Sequence, residues 1–178
     1  MHTNRRFGKK NQGGFSLLEL AVVIAVIAIL VIIVVKTSSS VSSTRKASAE
    51  VSGLSTLIQN SKQYKTGGSY GVALVLDPIL IAANQVPGQV TVSGAALLNQ
   101  WGGAITITGN AASLSVSDAG VSADACEAVV TGAGSTDPTM VTTVGGTVAV
   151  VANGQISAAA AATACGTGTV TIVITTTS

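Results

Sequence analysis

The chain has 178 residues, of which 47% are hydrophobic, 9% charged and 3% aromatic. That is enough for one small globular domain, and it is too apolar for intrinsic disorder. The net charge of +2 is owed to Arg5, Arg6, Lys9 and Lys10, and the single histidine is His2; beyond Lys10 five basic residues stand against seven acids, which leaves no basic footprint for nucleic acid and no histidine for a catalytic triad or a histidine metal site.

The first predicted element is a helix of membrane length. Gly13-Gly14-Phe15-Ser16-Leu17-Leu18-Glu19 follows the basic segment, and Leu20 to Val35 continues without a charge. Phe15 to Val35 is about 21 residues, which as a helix spans roughly 30 Å, one hydrocarbon core. The positive-inside rule keeps its basic end cytoplasmic. A secretory signal peptide would have a shorter apolar core followed by a small-residue cleavage site; here the run is long and the Gly-Gly pair precedes it. A simple uncleaved anchor leaves Glu19 unexplained, because a carboxylate deep in a membrane helix costs on the order of 2.5–3.5 kcal/mol, less near the interface.

These residues resemble the N-terminus of a type IV prepilin, which has a basic leader ending in glycine, an apolar residue after the cut, a glutamate at the fifth mature position and a long apolar run. The resemblance implies cleavage between Gly14 and Phe15 by a prepilin peptidase and N-methylation of Phe15. It also implies that Glu19 pairs with a terminal amine during assembly, so that two costly charges are satisfied together. The chain is then divided into a cleaved leader (1–14), a transmembrane and filament-core helix (15–35), an amphipathic continuation (36–65) and a globular α+β head (66–178). The precursor is expected as a single-pass protein of the inner membrane with its head in the periplasm. Afterwards it is expected as a homo-oligomeric helical filament, an extracellular pilus on the cell surface.

The helix is expected to continue past the membrane to about Tyr64. Val41, Ala47, Val51, Leu54 and Ile58 recur at helical spacing with Leu57 on the flank. Arg45, Lys46, Glu50, Lys62 and Lys65 fall mainly elsewhere, so the apolar stripe faces a sheet. Gly67-Gly68 is a stop signal. The segment Thr37-Ser38-Ser39-Ser40-Val41-Ser42-Ser43-Thr44 is rich in residues whose hydroxyls compete for backbone groups. Some type IV pilins have a proline at the twenty-second mature position; here that position is Lys36, and no proline kink is expected.

In the head, Asp77-Pro78 reads as the N-cap and first turn of a short helix to about Asn84, closed by Pro87-Gly88. Gln89–Ser93, Ala104–Thr108, Leu114–Ser117, Thr147–Val151 and Val170–Thr175 read as strands. Ser122–Val130 and Ser157–Cys165 read as helices, and Asn153-Gly154 as a turn. The segment around Trp101 and the strand after it resemble the head of type IVb pilins, including thin conjugative pili. An exported head puts Cys126 and Cys165 in an oxidising compartment, where an even count argues for one disulfide; pilins usually carry such a bridge near the C-terminus. The 14-residue leader and Phe15 depart from type IVb habits, whereas the head length and cysteine loop agree with them. Beyond Lys65 the chain has acids only, Asp77, Asp118, Asp124, Glu127 and Asp137, which suggests attraction between an acidic head and a basic stalk of neighbouring subunits. Their spacing is not that of a calcium loop, and no phosphate loop follows a strand.

The expected fold is α+β, a long helix on an antiparallel sheet, and the expected function is structural: the major subunit of a type IV pilus. No enzyme, cofactor or metal is expected. The alternatives are a minor pilin and a pseudopilin of type II secretion, with a membrane-anchored enzyme more distant. The implied partners are further copies of the chain, the inner membrane before assembly, the prepilin peptidase, an assembly platform and motor, an outer-membrane secretin and a host or recipient-cell surface. The serine-rich segment is expected to bend or partly unwind in the filament. Amide exchange across Thr37–Thr44 in assembled pili should then be fast, and full protection there would refute it.

Overall fold

The computed structural model describes residues 16–134, 139–149 and 156–177, with the side chains of all but 32–40, 134 and 147–149. The chain divides into two compact units, Met1–Ser40 and Val41–Ser178. Gly14, Phe15 and the turn at Asn153-Gly154 lie outside the described residues. Helix α1 spans Leu17–Lys62. Ser16 opens it: the Leu18 N–H donates to Ser16 Oγ at 3.3 Å and the Leu20 N–H to the Ser16 carbonyl at 3.1 Å. Backbone bonds reaching three residues back from Gln63, Tyr64 and Lys65 tighten its last turn, so the helix stops at Lys62, a little before the expected Tyr64.

After α1 come β1 (Leu74–Val75), α2 (Asp77–Ala82), β2 (Thr91–Ser93), β3 (Ala96–Leu98), β4 (Ala104–Asn110), β5 (Ser113–Ser122), α3 (Ala123–Gly134), β6 (Met140–Val144), β7 (Thr147–Ala149), α4 (Ala158–Cys165) and β8 (Thr169–Thr177). The strands form one sheet in the order β2-β3-β4-β5-β8-β6-β7, with β1 beside β4. Every pairing is antiparallel. The fold is α+β, a helix with an antiparallel sheet. Period-2 alternation puts Ile105 and Ile107 of β4, Leu114 and Val116 of β5, and Ile172 and Ile174 of β8 into the core. From α1, Ala47, Leu54, Leu57 and Ile58 join the same core. Val41, placed in that stripe by its spacing, is instead 46% exposed: the stripe begins only at Ala47, one and a half turns later.

Two local readings change. Asp77 is not the N-cap of α2; Leu76 holds that position without a side-chain bond. Leu76 donates its N–H to the Ile107 carbonyl, and Asp77 Oδ1 accepts the Ile107 N–H at 2.8 Å. The carboxylate thus stands in for the carbonyl that β1 would offer if it ran further, and burial raises its pKa above the usual carboxylate range against the opposing pull of that bond. The helix expected at Ser157, by contrast, has its cap: Ser157 Oγ accepts from the Ala160 N–H. Strands β1 and β3 were not legible, because two or three residues cannot show a period; β6 went unread although Ser135-Thr136-Asp137-Pro138 before Met140 and Gly145-Gly146 after Val144 are turn signals in the sequence.

The loop between β3 and β4 is where sheet geometry is least forgiving. A Cβ on Gly103 would collide with the Ala119 carbonyl and lie 2.9 Å from Asn99 Nδ2. Backbone cannot step aside as a flexible side chain can. Gly103→Ala should therefore cost at least the usual overpacking penalty of about 1–3 kcal/mol, read as a lower urea midpoint with an unchanged slope.

Candidate functional site

The described side chains of the first unit present an apolar surface on every side of the helix. Leu17 is 86% exposed, and the large hydrophobic residues from Leu18 to Val31 are all between 46% and 76% exposed. A helix that is hydrophobic all round belongs in a core or a bilayer. Among the described residues no helix is long and apolar enough to cross a membrane; the expected span of 15–35 extends at both ends beyond the side chains described here. Glu19 lies in the first turn and is exposed, where the positive end of the helix dipole favours a carboxylate. It stands three residues after the Ser16 cap, the S-x-x-E spacing of a capping box, a helix-start signal present in the sequence itself.

In the second unit the disulfide joins α3 to α4. Cys126 and Cys165 are bonded with Cα atoms 5.8 Å apart and 39 positions apart in the chain, and both are buried. The second organising centre is Asn99, between β3 and β4, 4% exposed. Its Oδ1 accepts from the Trp101 N–H at 2.9 Å and the Gly103 N–H at 2.7 Å. Its Nδ2 donates to Asp118 Oδ1 at 2.6 Å and to the Ala119 carbonyl at 2.7 Å, so every valence of the amide is used. The next residue, Gln100, donates its N–H to Glu50 Oε2 at 2.9 Å. One loop thereby holds a carboxylate from α1 and one from β5.

Neither carboxylate is where the sequence reading put it. Glu50, assigned away from the packing stripe, is 1% exposed and lies within it, three residues after Ala47 and four before Leu54. Asp118 is wholly buried, two residues beyond Val116 on the inward face of β5. Burial, then the charge of Glu50, push Asp118 up to about 7 against the Asn99 hydrogen bond. Burial raises Glu50 as well, opposed by the Gln100 N–H. The signal was present in both cases, as a polar residue at a core position of a periodic segment.

The arrangement offers little reactive chemistry. Glu50 and Asp118 are closed to a substrate. Asp124 and Glu127 are exposed on α3 and do not share the interior of Asp118, Asp137 lies outside the described residues, and no cluster of three metal-ligating side chains occurs among the described residues. An open groove of about 240 Å³ between α1 and α3 is lined by Ala47, Ser48, Val51, Ala128 and Gly132, with Ser48 its one hydroxyl. Trp101 is half-buried against the core. Of the head acids whose surroundings are described, only Asp124 and Glu127 are exposed, both on α3.

Comparison with known families finds two matches. The family model described as PilS N terminal matches residues 44–177, and the prokaryotic N-terminal methylation motif matches residues 9–35. Among solved structures, the crystal structure of a type IV b pilin from Salmonella typhi aligns with a TM-score of 0.50 at 19% identity, over 77% of this chain and 97% of that one. This likeness speaks to the fold. Comparison with curated protein sequences finds no match.

The bridge closes a loop of about 40 residues, worth roughly 4 kcal/mol in the chain-entropy treatment. Replacing both Cys126 and Cys165 by serine should lower head stability by up to that amount. Urea unfolding of the double variant beside the oxidised chain measures it, and equal midpoints would remove the bridge from the account of head stability.

Proposed function

This chain belongs to the PilS family and is a type IV pilin-like structural subunit, and we propose that it is the major subunit of a type IV pilus. The observation that carries the proposal is the coincidence of the methylation motif with a helix whose apolar side chains are exposed on every side, followed by a head of the family's own type. A surface of that kind is useful to a subunit that passes from lipid into a bundle of identical helices.

In this reading prepilin peptidase cuts between Gly14 and Phe15, and Phe15 is N-methylated. The helix of residues 15–35 holds the subunit in the inner membrane with its head in the periplasm. A platform and motor then move it into the filament, which leaves through an outer-membrane secretin towards a host or recipient cell. Glu19 pairs with the amine of Phe15, on a neighbour or within one subunit. That removes the desolvation cost of both groups when the apolar helices close around them. The head, closed by its disulfide, forms the outer surface.

Intact mass of filaments sheared from cells tests the processing. The expected result is loss of Met1–Gly14, one added methyl group and two hydrogens gained on reduction, in the dominant protein of the fraction. A processed but scarce species identifies a minor pilin instead, and a processed protein absent from the sheared fraction identifies a pseudopilin. Glu19→Ala should reduce filament yield severely while the processed subunit accumulates in the membrane with a normally folded, oxidised head. Unchanged yield would remove Glu19 from assembly.

A further inference from the structure

We propose that Glu50 and Asp118 share a single proton, held between Glu50 Oε1 and Asp118 Oδ2, and that this proton fastens α1 to the sheet. Both side chains are buried, at 1% and 0% exposure. Each has one oxygen fixed by the same loop: Glu50 Oε2 by the Gln100 N–H, and Asp118 Oδ1 by Asn99 Nδ2. The other oxygen of each, Oε1 and Oδ2, is buried with no hydrogen-bond partner in the protein. Buried polar atoms without partners are rare and costly. Two such atoms, on carboxylates pinned by consecutive residues of one loop, are satisfied together if one carboxyl is protonated and donates to the other. The charge of Glu50 is felt at Asp118, and two like charges buried under one loop cannot both ionise cheaply, which is the logic of paired carboxylates elsewhere.

The surroundings favour a proton over other occupants. On β5, Asp118 pairs with Ile105 of β4 on one side and Ile172 of β8 on the other, both buried. From α1 comes Glu50, with Ala47 and Leu54 one turn either side. From the loop come only the Asn99 amide and the Gln100 N–H. Among the described residues, Glu50 is the charged group that acts on Asp118, and it raises the proton affinity of that carboxyl. Two free oxygens fall far short of the six to eight that calcium takes, and no group of three ligating side chains occurs among the described residues. A proton needs only these two atoms.

The consequence for stability has a definite sign. Asp118 ionises near its ordinary value of 3.8 when unfolded but only at about 7 in the head. Between those values the folded chain keeps a proton that the unfolded chain has lost, so stability falls as pH rises. The slope is about tenfold in the folding equilibrium per pH unit, levelling off above about pH 7. Glu50, also raised by burial, acts in the same direction. Asp118→Asn replaces the acid by an amide that can still accept from Asn99 and can donate permanently to Glu50 Oε1. Glu50→Gln does the same from the other side.

The test uses the full chain in detergent. Infrared spectra at pH 6 should show a protonated carboxyl C=O band that disappears by pH 9 and is missing in Asp118→Asn. Urea midpoints of the wild type should fall between pH 5 and pH 7 relative to those of Asp118→Asn. Parallel pH profiles for the two proteins overturn the proposal, as does an absent band in the wild type at pH 6. The wild-type band decides alone if neither variant folds.

Discussion

Where α1 meets the sheet, the head depends on five residues, 99 to 103, that hold three elements at once. Asn99 binds its own loop through Trp101 and Gly103 and binds β5 through Asp118 and Ala119. Gln100 binds α1 through Glu50. Apolar contacts alone would let a helix slide or rotate on a sheet at modest cost, because they are non-directional. Hydrogen bonds to a carboxylate are directional and about twice as strong as neutral ones. Glu50 therefore fixes the register of α1 in a way that Ala47, Leu54 and Leu57 cannot. The close approach of Gly103 to Ala119 is the steric counterpart of the same arrangement.

A buried carboxylate pair is an expensive way to set register. Burying a carboxyl group carries a desolvation cost that an apolar side chain does not, so the cost argues for specificity over stability in this head. Hydrophobic burial and the disulfide supply the stability. The bridge between α3 and α4 closes the loop that contains β6, which pairs with β8, and β7, which pairs with β6. The segment from Cys126 to Cys165 is thus tied to the core covalently and through the sheet.

The α+β class, the long helix, α3, α4 and the longer strands were legible because each shows a period or a cap. Ser157 illustrates a cap that folded as its residue type suggests. What failed to read from sequence were polar residues with core roles. Glu50 was assigned to the solvent face on side-chain type, although its position repeats the spacing of Ala47 and Leu54. Asp118 continues the inward alternation of Leu114 and Val116 but was weighed only as a charge of an acidic head and as a possible calcium ligand. Asp77 looked like a cap and instead completes the edge of β4. In each case position predicted burial and chemistry predicted exposure, and the missing information was the partner: Gln100 for Glu50, Asn99 for Asp118, Ile107 for Asp77. All three partners are distant in sequence and become neighbours only through the sheet.

The apolar half of α1 poses the opposite problem, since its large side chains stand exposed among the described residues. From Leu17 to Val31 eleven large hydrophobic side chains are about half exposed or more. At about 1.5–3 kcal/mol for each one fully buried, their total burial is worth on the order of 20–30 kcal/mol, more than a domain's usual net stability of about 5–15 kcal/mol. Water is therefore not a tolerable surrounding for this surface, yet lipid and a bundle of like helices would serve it almost equally, because lipid tails are as apolar as leucine. Hydrophobicity keeps the helix out of water without choosing between those two. In the proposed reading the choice falls to the few groups that lipid and bundle treat differently: the carboxylate at Glu19, which gains from a cationic partner only when one is brought to it, and the surface of the head.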